Sequence, residues 1–139
     1  LILDESDSYG VEMALQLVDK AGAGEVTLVS MAPNGEVSGL RTALAMGAAK
    51  AILVSDDALK GAGALDTAKV LAAAIKRVEG ADLILAATES SDGYTGTVPE
   101  QIAAILDLAY SGLMALTTLP SSTFRRSPSP SRWRSPTAP

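Results

Sequence analysis

A chain of 139 residues is the size of one domain, and its 47% hydrophobic content with only 4% aromatic residues suits helices packed on a sheet through Ala, Leu, Val and Ile. With neither Cys nor His, it has no disulfide, no thiolate or imidazole metal site, and no Cys or Ser-His nucleophile of its own. The net charge of −5 argues against a nucleic-acid binder; no apolar run reaches the roughly 18 residues of a membrane span, and "LILDESDSYG" does not read as a secretory leader, so a cytoplasmic domain is expected.

In chain order, residues 6–21 predict a helix, with Val11, Ala14, Leu15 and Val18 on one face, Ser6 or Asp7 as the cap and "AGAG" as the stop. Residues 25–31, "EVTLVSM", predict a strand. "APNGEVSG" is a loop, and residues 40–48, "LRTALAMGA", a helix closing at Gly47. Arg41 in this helix can snorkel, pair with a loop acid or face a phosphate, and Met46 with its alanines reads as core. Residues 50–55, "KAILVS", form the next strand. Residues 66–80 predict a helix capped by Asp66, with Lys76 and Arg77 in its last turn and Gly80 beyond. Residues 81–88, "ADLILAAT", read as a strand buried on both faces, and residues 98–109 as a helix with Pro99 in its first turn.

Helices alternating with strands imply an α/β fold: a doubly wound, mainly parallel, Rossmann-like sheet of the adenine nucleotide hydrolase-like kind. A chain that opens on a helix in such a fold is expected to lack the first, central strand. An exposed sheet edge and poor stability would follow. Residues 1–119 form this incomplete domain. Residues 120–139 have another character: the last 19 hold four of the 11 basic residues, four of the seven prolines and none of the 16 acids. This tail reads as disordered or out of frame, the other readings being a basic arm or a proline-rich ligand.

Ligands of open α/β sheets sit beyond the carboxyl ends of the strands. The richest loop there is "TESSDGYTGTVPEQ", residues 88–101. Gly93 and Gly96 permit close backbone approach, Ser90, Ser91, Thr95 and Thr97 supply hydroxyls, and the following helix N-terminus favours an anion. The pattern fits either a phosphate grip or a turn that caps its helix. Neither G-x-x-x-x-G-K-[ST] nor G-x-G-x-x-G is present. Glu89 with Asp92 could be paired acids but fit solvated or capping roles better, and Asp56 with Asp57 could bind a divalent ion or simply open a polar loop.

"LRTALAMGAAKAILV", the loop "DGYTG" after "ADLILAA", and the opening "LDESDSYGVEMALQL" together resemble the electron transfer flavoprotein beta subunit family, over about residues 3–108. The loop is similar to the actinobacterial form. The resemblance implies a beta subunit that is not an enzyme itself. It would bind AMP, or a second FAD in electron-bifurcating members. It would pack on an FAD-bearing alpha subunit, and the heterodimer would carry electrons from acyl-CoA and other dehydrogenases to a quinone oxidoreductase. Carried over by position, the phosphate loop would be Ser90, Gly93, Tyr94, Thr95 and Gly96, with Ala87 near the adenosine and Met31 lining the adenine pocket. Gly93 and Tyr94 stand where the family commonly has Asn and Gln, so backbone contacts and Thr95 would carry more of the phosphate. The chain departs from the family after Pro120. The alternatives are an ATP-binding module of the universal-stress type, whose long glycine spacing is absent, and an adenylate-transferring enzyme, whose S-G-G-x-D-S-like loop is absent.

Overall fold

The computed structural model describes residues 3, 5–87, 96–111 and 115–117. Helix α1 (Glu5–Ala21) leads to strand β1 (Thr27–Met31), helix α2 (Ser38–Met46) and strand β2 (Lys50–Val54). A single 3-10 turn at Asp57–Leu59 precedes helix α3 (Ala64–Ile75), strand β3 (Leu83–Leu85), helix α4 (Val98–Leu106) and two short strands, β4 (Ala109–Ser111) and β5 (Ala115–Thr117). No described helix is long and apolar enough to cross a membrane.

The alternation of helix and strand is the α/β, Rossmann-like pattern expected. β1 and β2 pair in parallel from Thr27 opposite Lys50 to Met31 opposite Val54. β3 differs from expectation. It is three residues long, Leu83 is 40% exposed, and its described partner is β5, antiparallel, in a sheet ordered β3-β5-β4. Strands β4 and β5 were not foreseen, because three-residue strands are too short to display a period of two.

The hydrogen bonds of the parallel pair fix which way each β1 residue faces. Ala32 donates its N–H to the Val54 carbonyl at 3.0 Å, and the Val26 carbonyl accepts from Ala49 and Lys50. In a parallel ladder every second residue bonds the same neighbour. Val26, Leu28, Ser30 and Ala32 therefore turn their backbone groups to β2, while Thr27, Val29 and Met31 turn theirs to the opposite edge. Among the described residues no strand pairs with that edge.

The core is built from small residues. Ala68 and Ala72, one turn apart on α3, meet Ile102 and Ala103 of α4, all at most 4% exposed, and Leu71, Ile75, Ile84, Val98, Leu106, Leu108 and Tyr110 close around them. Alanines at i and i+4 bring two helix backbones close, and Ile102 fills the space left between. On α1 the predicted face holds: Val11 is buried, and Ala14, Leu15 and Val18 are half-buried. Leu15 reaches Gly47, where a built Cβ would lie 3.4 Å from the Leu15 side chain. Gly47 closes α2 as expected, at φ 127°.

Other boundaries moved for local reasons. α3 begins at Ala64 with Gly63 as N-cap, so Asp66 lies inside the first turn, beside Lys69, rather than at the cap. The helix stops at Ile75 because Arg77 and Val78 donate to Ala74 and Ile75, three residues back, which tightens the chain into turns. Lys76 is thus the C-cap and Arg77 lies outside the helix. Met46, expected in the core, is 37% exposed, while Ala43 beside it is buried.

α4 ends on Asp107 in the left-handed region, φ 55° and ψ 46°, the one described non-glycine residue with positive φ. Its N–H and that of Leu108 return to Ala104 and Ala103, which closes the helix. Asp tolerates this conformation less well than glycine does. Asp107→Gly is therefore expected to stabilise the chain by about 0.5–1 kcal/mol, seen as a higher urea midpoint with an unchanged slope.

Candidate functional site

Three helices begin beyond strand ends, and their N-termini are not equivalent. The α2 entrance is already closed from within. The Glu36 carboxylate accepts the Ser38 N–H at 2.9 Å, and the Asn34 side-chain Oδ1 accepts the Glu36 N–H at 3.3 Å. The Ser38 N–H above all, then its hydroxyl, hold the Glu36 carboxyl below its ordinary value. α3 starts from Gly63 with no side-chain cap and carries Asp66 in its first turn. α4 starts from Thr97, whose side chain makes no capping bond to the helix N–H groups, with Pro99 buried in the first turn and Glu100 exposed. Helix N-termini leave their first N–H groups unpaired and partly positive, a setting that suits an anion.

Just before α4, Gly96 has φ 60°. That conformation is open to glycine and strained for a side chain, so the turn into the helix depends on this residue. Thr97 is exposed, and its hydroxyl oxygen accepts from the Gln101 carboxamide Nε2 at 3.2 Å.

Of the seven positions expected at the site, three are described. Met31 is the last residue of β1 and half-buried; Ala32, next to it, is buried. Ala87 is half-buried, two residues beyond β3, and Gly96 opens α4. Ser90, Gly93, Tyr94 and Thr95 lie outside the described residues, as do Glu89, Ser91 and Asp92. β1 and β3 belong to separate described sheets, so strand pairing ties Met31 to β2 and not to Ala87. On the β2 side the loops do meet, since Gly35 (φ 66°) would place a Cβ 3.6 Å from the Ser55 hydroxyl.

Other candidates resolve into ordinary roles. Asp56 caps the 3-10 turn by accepting the Ala58 N–H at 2.8 Å, and Asp57 pairs with Lys60 at 3.1 Å. Among the described residues no group of three acids or other ligating side chains gathers for a metal. Arg41 is exposed and makes no ion pair among the described residues. A recess of about 300 Å³ lined by Ile75, Val78, Ile84, Leu106 and Leu108 lies at the C-terminal ends of α3 and α4. It is at the end of α4 away from Gly96, and Lys76 is its one charged lining residue.

Sequence reasoning named Thr97 as a hydroxyl but missed Gln101. The signal was present: polar residues at i and i+4 in the first turn of a helix face one another.

Comparison with known proteins adds the family. The profile of the electron transfer flavoprotein domain matches residues 1–114. The electron transfer flavoprotein subunit beta of Mycobacterium tuberculosis (strain ATCC 25618 / H37Rv) is 40% identical over 111 residues, 77% of this chain and 42% of that protein. The caffeyl-CoA reductase-Etf complex subunit CarD of Acetobacterium woodii is 42% identical over 102 residues, 73% of this chain and 39% of the relative. Protein FixA of Azotobacter vinelandii is 40% identical over 109 residues, 76% of this chain and 38% of the relative. The chain thus spans about two fifths of the length of the curated relatives it matches.

Proposed function

The chain belongs to the electron transfer flavoprotein family, and from that premise we propose that it is the nucleotide-holding portion of a beta subunit, binding AMP through the loop that enters α4. The observation that carries the reading is the α4 entrance: Gly96 at positive φ, followed by a helix whose first N–H groups have no side-chain cap. These groups suit a phosphate; in this reading Ala87 and Met31, each half-buried at or just beyond a strand end, lie toward the base. In this reading Ser90, Gly93, Tyr94 and Thr95 complete the phosphate contacts.

The residues present fit an adenine nucleotide, and the chain supplies binding and placement rather than bond chemistry. The sequence has neither Cys nor His, and among the described residues no group of three acids or other ligating side chains gathers. FAD, held with the alpha subunit, supplies the electron transfer when bound. The beta portion packs on the alpha subunit, and the pair carries electrons from acyl-CoA and other dehydrogenases to a quinone oxidoreductase.

The test is to co-express the chain with an alpha subunit, purify the complex and quantify its extracted nucleotides. AMP in near-equal amount to the chain is the expected result. Flavin without any adenine nucleotide beyond it would overturn the AMP assignment, and flavin at twice the chain would assign the site to a second FAD.

A further inference from the structure

Helix α1 carries two apolar rows, and only one of them faces the core. Val11 is buried, and Ala14, Leu15 and Val18 are half-buried on the same side. Tyr9, Met13 and Leu17, at i, i+4 and i+8, form the second row on the opposite side of the helix and are 64%, 42% and 42% exposed. Single exposed apolar residues are ordinary, but three in one row over two turns form the anchor pattern by which one helix receives another. Gly10 lies beside this row, and a Cβ built on it would meet no atom within 4 Å. A glycine inside a helix costs stability relative to alanine, and no contact among the described residues requires this one. It leaves a bare strip of backbone over which a second helix can pass closely.

The charges beside the row decide what kind of helix it receives. Glu5, Glu12 and Asp19 are spaced seven apart, so they run in a line along one flank of the row, and all three are exposed. The Tyr9 hydroxyl donates to Glu5 Oε1 at 3.3 Å, and Gln16 Nε2 donates to Glu12 Oε1 at 2.9 Å, which holds both carboxylates on that flank. None of the three acids forms an ion pair among the described residues. We propose that this face of α1 is a docking surface for the basic amphipathic helix of a partner protein, with apolar side chains laid on Tyr9, Met13 and Leu17 and Lys or Arg side chains beside the acids. A second copy of this chain is a poor occupant. α1 holds four acids, Glu5, Asp7, Glu12 and Asp19, against the one base Lys20, so paired copies would set like charges against one another. An anionic lipid surface is repelled for the same reason. The surface does not depend on the nucleotide reading.

The test is fluorescence anisotropy of a labelled synthetic peptide of leucine and lysine, its leucines at i, i+4 and i+8, titrated with the 139-residue chain. A peptide of the same composition with its leucines scattered round the helix is the control, and circular dichroism checks that each variant folds. The patterned peptide should bind about tenfold or more tightly than the scattered one. Met13→Gln with Leu17→Gln should weaken it by about tenfold or more, and so should Glu5→Gln with Glu12→Gln and Asp19→Asn, which should also flatten its dependence on salt. Removing three exposed acids elsewhere, by Asp57→Asn, Glu79→Gln and Asp82→Asn, should change the affinity by less than about threefold. The proposal is overturned if both peptides bind alike, if the two sets of acid substitutions cost the same, if the apolar pair of substitutions has no effect, or if no binding occurs at about 1 mM chain. Self-association of the chain that Met13→Gln with Leu17→Gln abolishes would assign the face to a second copy and overturn the basic partner.

Discussion

Ile102→Ala should remove about 2–5 kcal/mol of stability, the usual cost of emptying a fully packed aliphatic position. Ile102 is 4% exposed and is the one large side chain in the innermost cluster, where its neighbours Ala68, Ala72 and Ala103 have no side-chain length with which to collapse into a cavity. The two helices could close the space only by moving their backbones, and Ile75, Leu71 and Ile84 around the cluster resist that. Few domains hold more than about 5–15 kcal/mol in total. The variant is therefore expected to unfold at a much lower urea concentration, with the native baseline visibly shortened. Ile102→Val, which removes one methylene, should cost only about 0.5–1.5 kcal/mol. A similar midpoint for Ile102→Ala and Ile102→Val would show that α3 and α4 slide to refill the space.

Gly96→Val should abolish measurable AMP binding while leaving the α3–α4 core in place. The residue has φ 60°, where a β-branched side chain is a severe outlier. The backbone would leave that conformation rather than bear the strain, and the first turn of α4 would then present its N–H groups elsewhere. Gly96→Ala keeps the smaller penalty of about 1–2 kcal/mol for an ordinary residue in the left-handed region. It should accordingly weaken AMP binding by roughly five- to thirtyfold, if the strain is relieved in the free chain and restored on binding. Titration with AMP beside a urea melt separates the two effects. Unchanged affinity in Gly96→Val would remove this turn from the binding site.

These two residues also show how much could be read before any coordinates. Gly96 was legible because a glycine just ahead of a helix-opening Val-Pro has few other reasons to be there, and the observed φ supplies the reason. The helical face of α1 was legible from apolar spacing, the parallel pairing of β1 and β2 from the alternation of helix and strand, and Gly47 from the α2 pattern it ends. Ile102 was part of a predicted helix but not singled out as its key packing residue. Sequence periodicity shows that a helix has an apolar face, and not which neighbour brings alanines to meet it. The end of α3 was misjudged because Lys76 to Glu79 suits a helix by propensity, whereas the observed turns close three residues back. β4 and β5 had no local signal, since their pairing with β3 is a long-range choice. Gln101 was overlooked although its spacing of four residues from Thr97 was there to be read.

The outward edge of β1 bears on how the chain behaves in solution. Thr27, Val29 and Met31 present backbone donors and acceptors in a row with no charge among their side chains, a template onto which another extended segment can add. The nearest charge, Glu25, is already paired with Lys50 and so does little to repel a newcomer. Association through this edge would scale with protein concentration and would draw Met31, at the strand's end, into a new ladder. A strand laid over those residues would act as a solubility device as well as part of the fold.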